Sequence, residues 1–427
     1  MKRIQLLGCS VLLCGTALTS SAAVTDATDS VPERAIVLTN GEISPSQLEH
    51  IAMMYSRENL AFEDPSAPRF LFLDKKGKVA LGIGGNLKAI AMYDFDGAVN
   101  ENGFTTFDIP VPLNPGQRQR LGATAAASSI FLKLVTAPTR LGRVIVYFQT
   151  DFKGDNGGYG VRVKQAYVSV GNLTAGKARS TFSDAPAMAP TIDDQGPSGQ
   201  VTAKNLLIQY KTPSYRGLSG AISLEIPSAG YTVNEATRSI AQRFPDIPAY
   251  VQYAWDGGDS HVRASGILRQ LSYRDLTDNR NRFETGWGVQ ISGVSKIVGG
   301  LQIFGHYTYG KGIAHYINDL ADADLDLIPG SENGRMTAPG VAGWTAGARY
   351  DFTRNFFVTG SYSQARLYNS SRLGADTYRY GQYAAVNAFY DLGDLRLGVE
   401  YLYGSRKNID RQDGHANRIE ALVQYSF

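Results

Sequence analysis

Tyr159-Gly160-Val161-Arg162-Val163-Lys164 sets apolar residues against basic ones at the period of a β-strand with one apolar face and one wet face. A second strand-like run, Leu173 to Arg179, follows it. Thr181 to Gln200 then breaks every regular pattern, with Pro186, Pro190 and Pro197, the acids Asp184, Asp193 and Asp194, and small residues between them. Two strands with charge on one face, leading into a long irregular segment, predict the wall of a membrane β-barrel followed by a loop folded into its lumen.

Outward from this stretch the alternation continues in both directions. It begins at Lys78: in Val79 to Phe95 the odd positions include Val79, Leu81, Ile83, Leu87, Tyr93 and Phe95, and the even ones Asn86, Lys88 and Asp94. Further runs are Arg120 to Val135, Thr139 to Lys153, Lys204 to Thr212, Leu218 to Ile226, Pro248 to Trp255, His261 to Arg274 and Phe283 to Val294. Leu301 to Tyr309, Trp344 to Phe352, Phe356 to Ala365, Gln382 to Leu392, Leu395 to Tyr403 and Arg418 to Phe427 complete the series. At roughly 22 residues per strand and connection, this predicts an all-β antiparallel barrel of about 16 strands over residues 78–427. Short connections such as Gly171-Asn172, Pro213 to Gly217 and Gly393-Asp394 would face the periplasm. Long ones, Asp96 to Gln119, Pro227 to Ile247, Lys311 to Gly343 and Ser405 to Ala416, would face outside. The inward and outward parity is least clear around Lys177 and Arg179, which a contact between subunits would explain.

The ends of the chain fit the same reading. Met1 to Ala23 carries Lys2 and Arg3, an apolar run from Ile4 to Leu18, and small residues Ser21 and Ala23 at cleavage-site spacing, the pattern of a secretory signal peptide. Cys9 and Cys14 both lie in it, so the mature chain is expected to have no disulfide. Val24 to Gly77 reads as a small periplasmic piece with one helix, capped by Ser44, opened by Pro45 and carrying Leu48, Ile51, Ala52 and Tyr55 at helical spacing. Arg69 to Leu73 could add a strand through the turn at Asp74 to Gly77. The terminal run places Ile419, Ala421, Val423, Tyr425 and Phe427 on one face, like the closing strand that the barrel-assembly machinery of bacterial outer membranes recognises.

Bulk composition narrows the class. A net charge of +3 over 427 residues argues against a nucleic-acid partner. No apolar run after the signal is long enough for a membrane helix, so only a closed barrel can span, and 24 Tyr and 46 Gly suit one.

If apolar positions face lipid, then Lys88, Arg162, Lys164, Lys211, Arg263, Arg269, Arg349 and Arg396 point into the lumen, with Glu225, Glu400 and Glu420 among the opposing acids. A basic wall concentrates anions, and arginine grips carboxylates bidentately. The alternative is that each charge is solvated or neutralised by a neighbour. Arg162 with Lys164 stands out because the pair adjoins the irregular segment, whose Asp184, Asp193 and Asp194 would share the constriction. Asp322, Asp324 and Asp326 imitate the start of a calcium loop but lack its glycine and late glutamate; an acidic outer loop facing lipopolysaccharide is the plainer reading. His50, His261, His306, His315 and His415 form no metal-ligand spacing, and no cofactor is implied. A Ser-His pair around His306 would be the minimum for a hydrolase.

Asp151-Phe152-Lys153-Gly154-Asp155-Asn156, Arg162-Val163-Lys164-Gln165-Ala166-Tyr167-Val168 and Ser180-Thr181-Phe182-Ser183-Asp184 resemble the DcaP-type porins. Pro190-Thr191-Ile192-Asp193, Gln195-Gly196-Pro197 and Leu224-Glu225-Ile226-Pro227 extend the resemblance, which covers most of Phe70 to Phe427. It implies a trimeric outer-membrane channel of Gram-negative bacteria that takes up small carboxylate-bearing molecules. The family's periplasmic coiled coil is not implied, since Val24 to Asp64 has no sustained heptads. The competing expectation is a structural or adhesive barrel with surface-binding loops and a plugged lumen.

Overall fold

The computed structural model describes residues 35–39, 43–55, 67–97, 100–140, 142–154, 158–368 and 372–427. The expected signal peptide, with Cys9 and Cys14, lies outside them.

Sixteen antiparallel wall strands close into a barrel. They are β3 (Val79–Asp96), an interrupted second strand made of β4 (Arg120–Thr124) and β5 (Ser129–Thr136), β6 (Val144–Lys153), β7 (Tyr159–Val170), β8 (Leu173–Arg179), β9 (Lys204–Lys211), β10 (Leu218–Glu225) and β12 (Ile247–Trp255). The second half comprises β13 (Ser260–Asp275), β14 (Arg280–Lys296), β15 (Leu301–Lys311), β18 (Gly340–Asp351), β19 (Phe356–Tyr368), β20 (Tyr378–Leu392), β21 (Leu395–Asn408) and β22 (Asp413–Ser426). Small additions are β1 (Ile36–Leu38), α1 (Pro45–Met54), β2 (Phe70–Leu73), β11 (Thr237–Ser239), and a ribbon of β16 (Ile328–Pro329) with β17 (Met336–Thr337). β22 pairs with β3, and Phe427 exchanges two backbone hydrogen bonds with Gly85, so no open edge remains at the seam.

The alternation sorts the wall. Leu206, Ile208, Leu224, Val289, Ile291, Val399 and Val423 are exposed on the outer face, while their neighbours Asn205, Leu207, Glu225, Gln290, Glu400 and Leu422 are buried on the inner one. Tyr210, Tyr253, Tyr350, Phe352, Tyr390 and Tyr425 ring the outer face near the short turns, and Phe95, Phe283, Trp287 and Tyr403 ring it toward the long loops. Two aromatic girdles flanking an aliphatic band are what the two water interfaces of a bilayer select. Several strands run further than the apolar alternation does, β14 reaching Lys296 and β21 Asn408, because backbone pairing continues beyond the lipid-facing band.

The long loops depart from expectation. Asp96 to Gln119 and Lys311 to Gly343 are expected outside; instead parts of both, within 100–119 and 312–339, fold into the lumen against 180–203. Phe182, Val201, Ile313, Tyr316, Ile317, Leu320, Leu325 and Ile328 share one core with the inward residues Ile267, Val341, Ala365 and Leu367 of the wall. The reason is apolar content: these side chains would be left in water on an outer loop, and the lumen offers the cover.

Candidate constriction site

After Arg179 the chain leaves the wall, crosses the lumen and returns at Lys204. Nearly every residue from Ser180 to Val201 is buried. Prolines keep the segment out of the sheet, so its backbone groups need partners from the wall. Glu225 accepts from the Thr181 backbone N–H at 2.9 Å. Glu400 accepts from the Ile192 and Asp193 N–H groups at 3.0 and 2.8 Å, and Asn387 Nδ2 donates to the Pro190 carbonyl at 2.8 Å. Lys88 Nζ donates to the Ile192 carbonyl at 2.9 Å. Gly199 donates to Ser363 Oγ and accepts from His306 Nε2, which gives that histidine a structural partner. A Cβ at Gly199 would come 2.5 Å from the Trp344 nitrogen, so only glycine lets the segment lie this close to β18.

The three acids of the segment have different surroundings. Asp184 meets His261 Nε2 at 2.9 Å, accepts from Ser292 Oγ at 2.6 Å and lies 3.5 Å from Arg263. Burial pushes its carboxyl up, but the Arg263 charge and the bonds from His261 and Ser292 outweigh that and hold it below the usual range. Asp193 is turned into the segment and the loops: it accepts from the backbone N–H groups of Phe104, Gln195 and Gly196 and from the Tyr383 hydroxyl.

Asp194 faces the basic wall. It contacts Lys153 directly and lies 3.9 Å from Lys88. Burial pushes this carboxyl up too, yet the charges of Lys153, Lys164 and Lys88 prevail and hold it far below the ordinary range. Arg162 lies within reach of the same electrostatic field and forms a bidentate pair with Asp151, Nε to Oδ1 at 2.9 Å and Nη2 to Oδ2 at 2.6 Å, while half its side chain stays exposed. A register shift makes this possible. β6 and β7 pair Gln149 with Gln165 and then Thr150 with Val163, so Lys164 is an extra residue on β7.

The structure thus unites Lys88, Arg162, Lys164, Asp193 and Asp194 with the wall acids Glu400 and Glu420 in one region and puts the remaining sequence candidates elsewhere. Asp184 and Arg263 meet further round the lumen, where Arg263 also donates to Gln252 and to the Ser183 carbonyl and lies over the Tyr250 ring at 4.1 Å. Arg269 is wholly enclosed between Asp246, Asp326 and the Gly312 and Ser228 carbonyls, so it pins loops together. Arg349 and Arg396 pair with Asp351 and Asp391 and flank the stacked rings of Phe357 and Phe389 near the short turns. Lys211 is half-buried at the short-turn end of β9. Asp326 accepts from Arg269, from the His315 N–H and from the Gly230 N–H, an interior anchor where an outer acidic loop was expected.

Sequence reasoning missed Lys153 and Asp151 as wall charges. The signal was there, since both occupy the inward parity of one run. It also missed Asn387, Tyr383 and Ser363, ordinary polar residues whose role only the crossing loop reveals. Among the described residues no cluster of His, Cys, Asp or Glu could hold a metal ion.

The arrangement is a wide barrel narrowed by an inward segment in which Asp184 is held by His261, Ser292 and Arg263 and Asp194 looks onto the cations of Lys88 and Lys153. A family model described as DcaP outer membrane protein matches residues 74–427. Among solved structures, the outer membrane channel DcaP of Acinetobacter baumannii superposes with a TM-score of 0.72 at 21% identity, over 83% of this chain and 99% of that one. An anion-selective porin from Comamonas acidovorans gives 0.51 at 10% identity, over 82% and 100%, and the trimer form of OmpT from Vibrio cholerae 0.50 at 10%, over 82% and 100%. No curated protein sequence matches the chain.

Proposed function

We propose, from the premise that this chain belongs to the DcaP outer membrane protein family, that its channel passes small hydrophilic solutes by passive diffusion and prefers anions bearing carboxylates, dicarboxylates among them. That it is an outer-membrane channel of a Gram-negative bacterium, and no enzyme, follows from the family itself. The observation that carries the preference is the set of Lys88, Lys153, Lys164 and Arg162 gathered around the carboxylate of Asp194, with Asp151 held by Arg162 beside it. Cations in a narrowed, low-dielectric lumen act on a passing charge far more strongly than cations in a wide mouth. A solute carboxylate meets there the same groups that already hold Asp194. The reversal potential of single channels in a KCl gradient tests this: it should lie on the anion-selective side, and a cation-selective value would overturn the preference.

A plugged structural or adhesive barrel is the second reading, favoured by the apolar packing of three inward segments. Reconstitution in a planar bilayer separates the two. Discrete current steps support the porin, and a silent bilayer at high protein load supports the plug.

In the porin reading the short turns face the periplasm, the parts of the long loops that do not fold into the lumen meet lipopolysaccharide and the medium, and three copies assemble side by side. Lys177 supports the assembly. It is opposite Leu206, an outward residue of β9, and a lysine on a lipid-facing wall is costly unless another subunit covers it. Native mass spectrometry in detergent should show a trimer; a monomer as the sole species would contradict it.

A further inference from the structure

The described residues 43–55 and 67–73 precede the part matched to the family, and the sequence suggests a small periplasmic piece there. They pack against the wall. Ile51 and Met54 of α1 and Leu71 and Leu73 of β2 form one core with Ala80 of β3 and Val135 of β5. Ala80 and Val135 are on the lumen face, because their neighbours Val79, Ile130 and Leu132 are exposed on the outer face. β2 continues the wall beside β3, with Phe70 opposite Ile83 and Leu73 opposite Ala80. The helix therefore sits inside the short-turn mouth and covers part of it.

The wall provides a seat for it. At Gly82, on the lumen face of β3, an added Cβ would come 2.6 Å from Pro68 Cγ and 3.1 Å from Met54 Sδ. Lys133 of β5 donates its Nζ to the Met53 and Met54 carbonyls at 2.8 and 3.1 Å, satisfying acceptors that the helix C-terminus leaves open and placing a cation at the negative end of its dipole. Arg143 pairs with Glu49 at 3.1 Å, and Gln47 Nε2 donates to the Asp74 carbonyl at 2.9 Å. All of these are side-chain contacts to a wall whose own ladders, β3 with β5 and β5 with β6, are complete without the helix. A helix of ten residues does not persist alone in water, so leaving the wall and unfolding are one event.

We infer that α1 is a detachable lid on the lumen side of the short-turn mouth, which lowers the current when docked on Gly82 and Lys133 and clears the mouth when released. The inference does not depend on anion preference, because it is read from conductance in symmetrical KCl. Three variants test it: E49C/R143C joined by a short bismaleimide, Gly82→Val, which fills the seat with a good strand former, and a chain lacking residues 24–66. The natural cysteines, Cys9 and Cys14, fall in the segment read as a signal peptide. The parent should step between two levels. The joined variant should stay at the lower level, and the Gly82→Val and truncated channels at the upper one, higher by on the order of tens of per cent for a helix about 10 Å wide. No joining of the two cysteines would overturn the docked position. A single-level parent, or parental current in all three variants, would overturn the lid.

Discussion

Arg418 on the last strand grips Asp94 on the first: Nε lies 2.6 Å from Oδ1 and Nη2 3.1 Å from Oδ2, and both side chains are shut away from solvent. Arg418 also reaches Glu420 at 3.4 Å and the Asn100 carbonyl at 3.2 Å. One residue thus joins the barrel seam to the first inward loop. Breaking such a pair strands a charge in a place without water, which costs about 3–5 kcal/mol. Arg418→Gln should lower the temperature at which the purified barrel loses its heat-modifiable mobility in detergent. An R418M/D94L pair, with Glu420→Gln to neutralise the acid that Arg418 also holds, should recover most of the loss, since well-packed apolar residues often replace a buried ion pair at no net cost. Equal loss in the single and paired variants would show that the ion pair is not the source.

Phe427 is bound to the seam as well, through two backbone hydrogen bonds to Gly85. Deleting it removes the final rung between the closing strand and β3 and takes the terminal aromatic from the end that the assembly machinery is expected to read. Outer-membrane levels of the Phe427 deletion and of Phe427→Asp should fall relative to the parent in cells. Refolding in detergent separates the two causes: a variant that refolds normally yet fails in cells is defective in recognition rather than in closure.

The wall was legible in the sequence because its physics is local. A period of two with apolar residues toward lipid is visible in Val79 to Phe95 or Arg418 to Phe427 without any knowledge of neighbours. The inward segment was legible from its prolines. What 312–339 does was not, because Asp322, Asp324 and Asp326 dominate the eye, whereas Ile313, Ile317, Leu320 and Leu325 decide the direction in which the loop folds. Charge roles were legible only as far as parity goes. Arg269 and Arg162 share an inward face, yet one is enclosed by Asp246 and Asp326 and the other is half exposed beside Asp151, a difference set by loops remote in sequence.

Asp319 joins two of those loops. It accepts from the Thr106 N–H at 2.9 Å, from the Thr106 hydroxyl and from the Tyr378 hydroxyl at 3.1 Å. Burial pushes its pKa up to about 7, against which these donors pull down without prevailing. A carboxyl raised in the folded state is most compatible with folding below its unfolded pKa of 3.8, and the cost of ionising it grows as pH climbs from there toward 7. The junction of 104–109 with 317–320 should therefore be tighter at pH 5 than at pH 8. Hydrogen exchange of the Thr106 and Leu320 amides should show more protection at the lower pH after correction for intrinsic rates, and Asp319→Asn should flatten the difference. A slope that survives in Asp319→Asn would assign it to another group.

The selectivity prediction rests on Arg162 and Lys164. Both act on Asp194, but their positions differ: Arg162 keeps half its side chain exposed while paired to Asp151, and Lys164 is buried at the bulge. Changing both to Gln removes two positive charges and leaves Asp151 and Asp194 in place, so the local balance shifts toward the acids by more than the wide mouths can offset. The reversal potential in a salt gradient should move toward cation preference, and uptake of a dicarboxylate should slow more than uptake of a neutral sugar of similar size. Asp194→Asn should act in the opposite sense, because Lys88, Lys153 and Lys164 then lose their resident anion. High salt should shrink every one of these differences, since a Debye length of about 3 Å at 1 M hides a charge from a solute only slightly farther off. The pair of opposite shifts is the strict requirement. A general loosening of the segment would move both variants the same way, toward the unselective value of a wider pore, and a parental reversal potential in R162Q/K164Q would place the selectivity element elsewhere on the lumen wall.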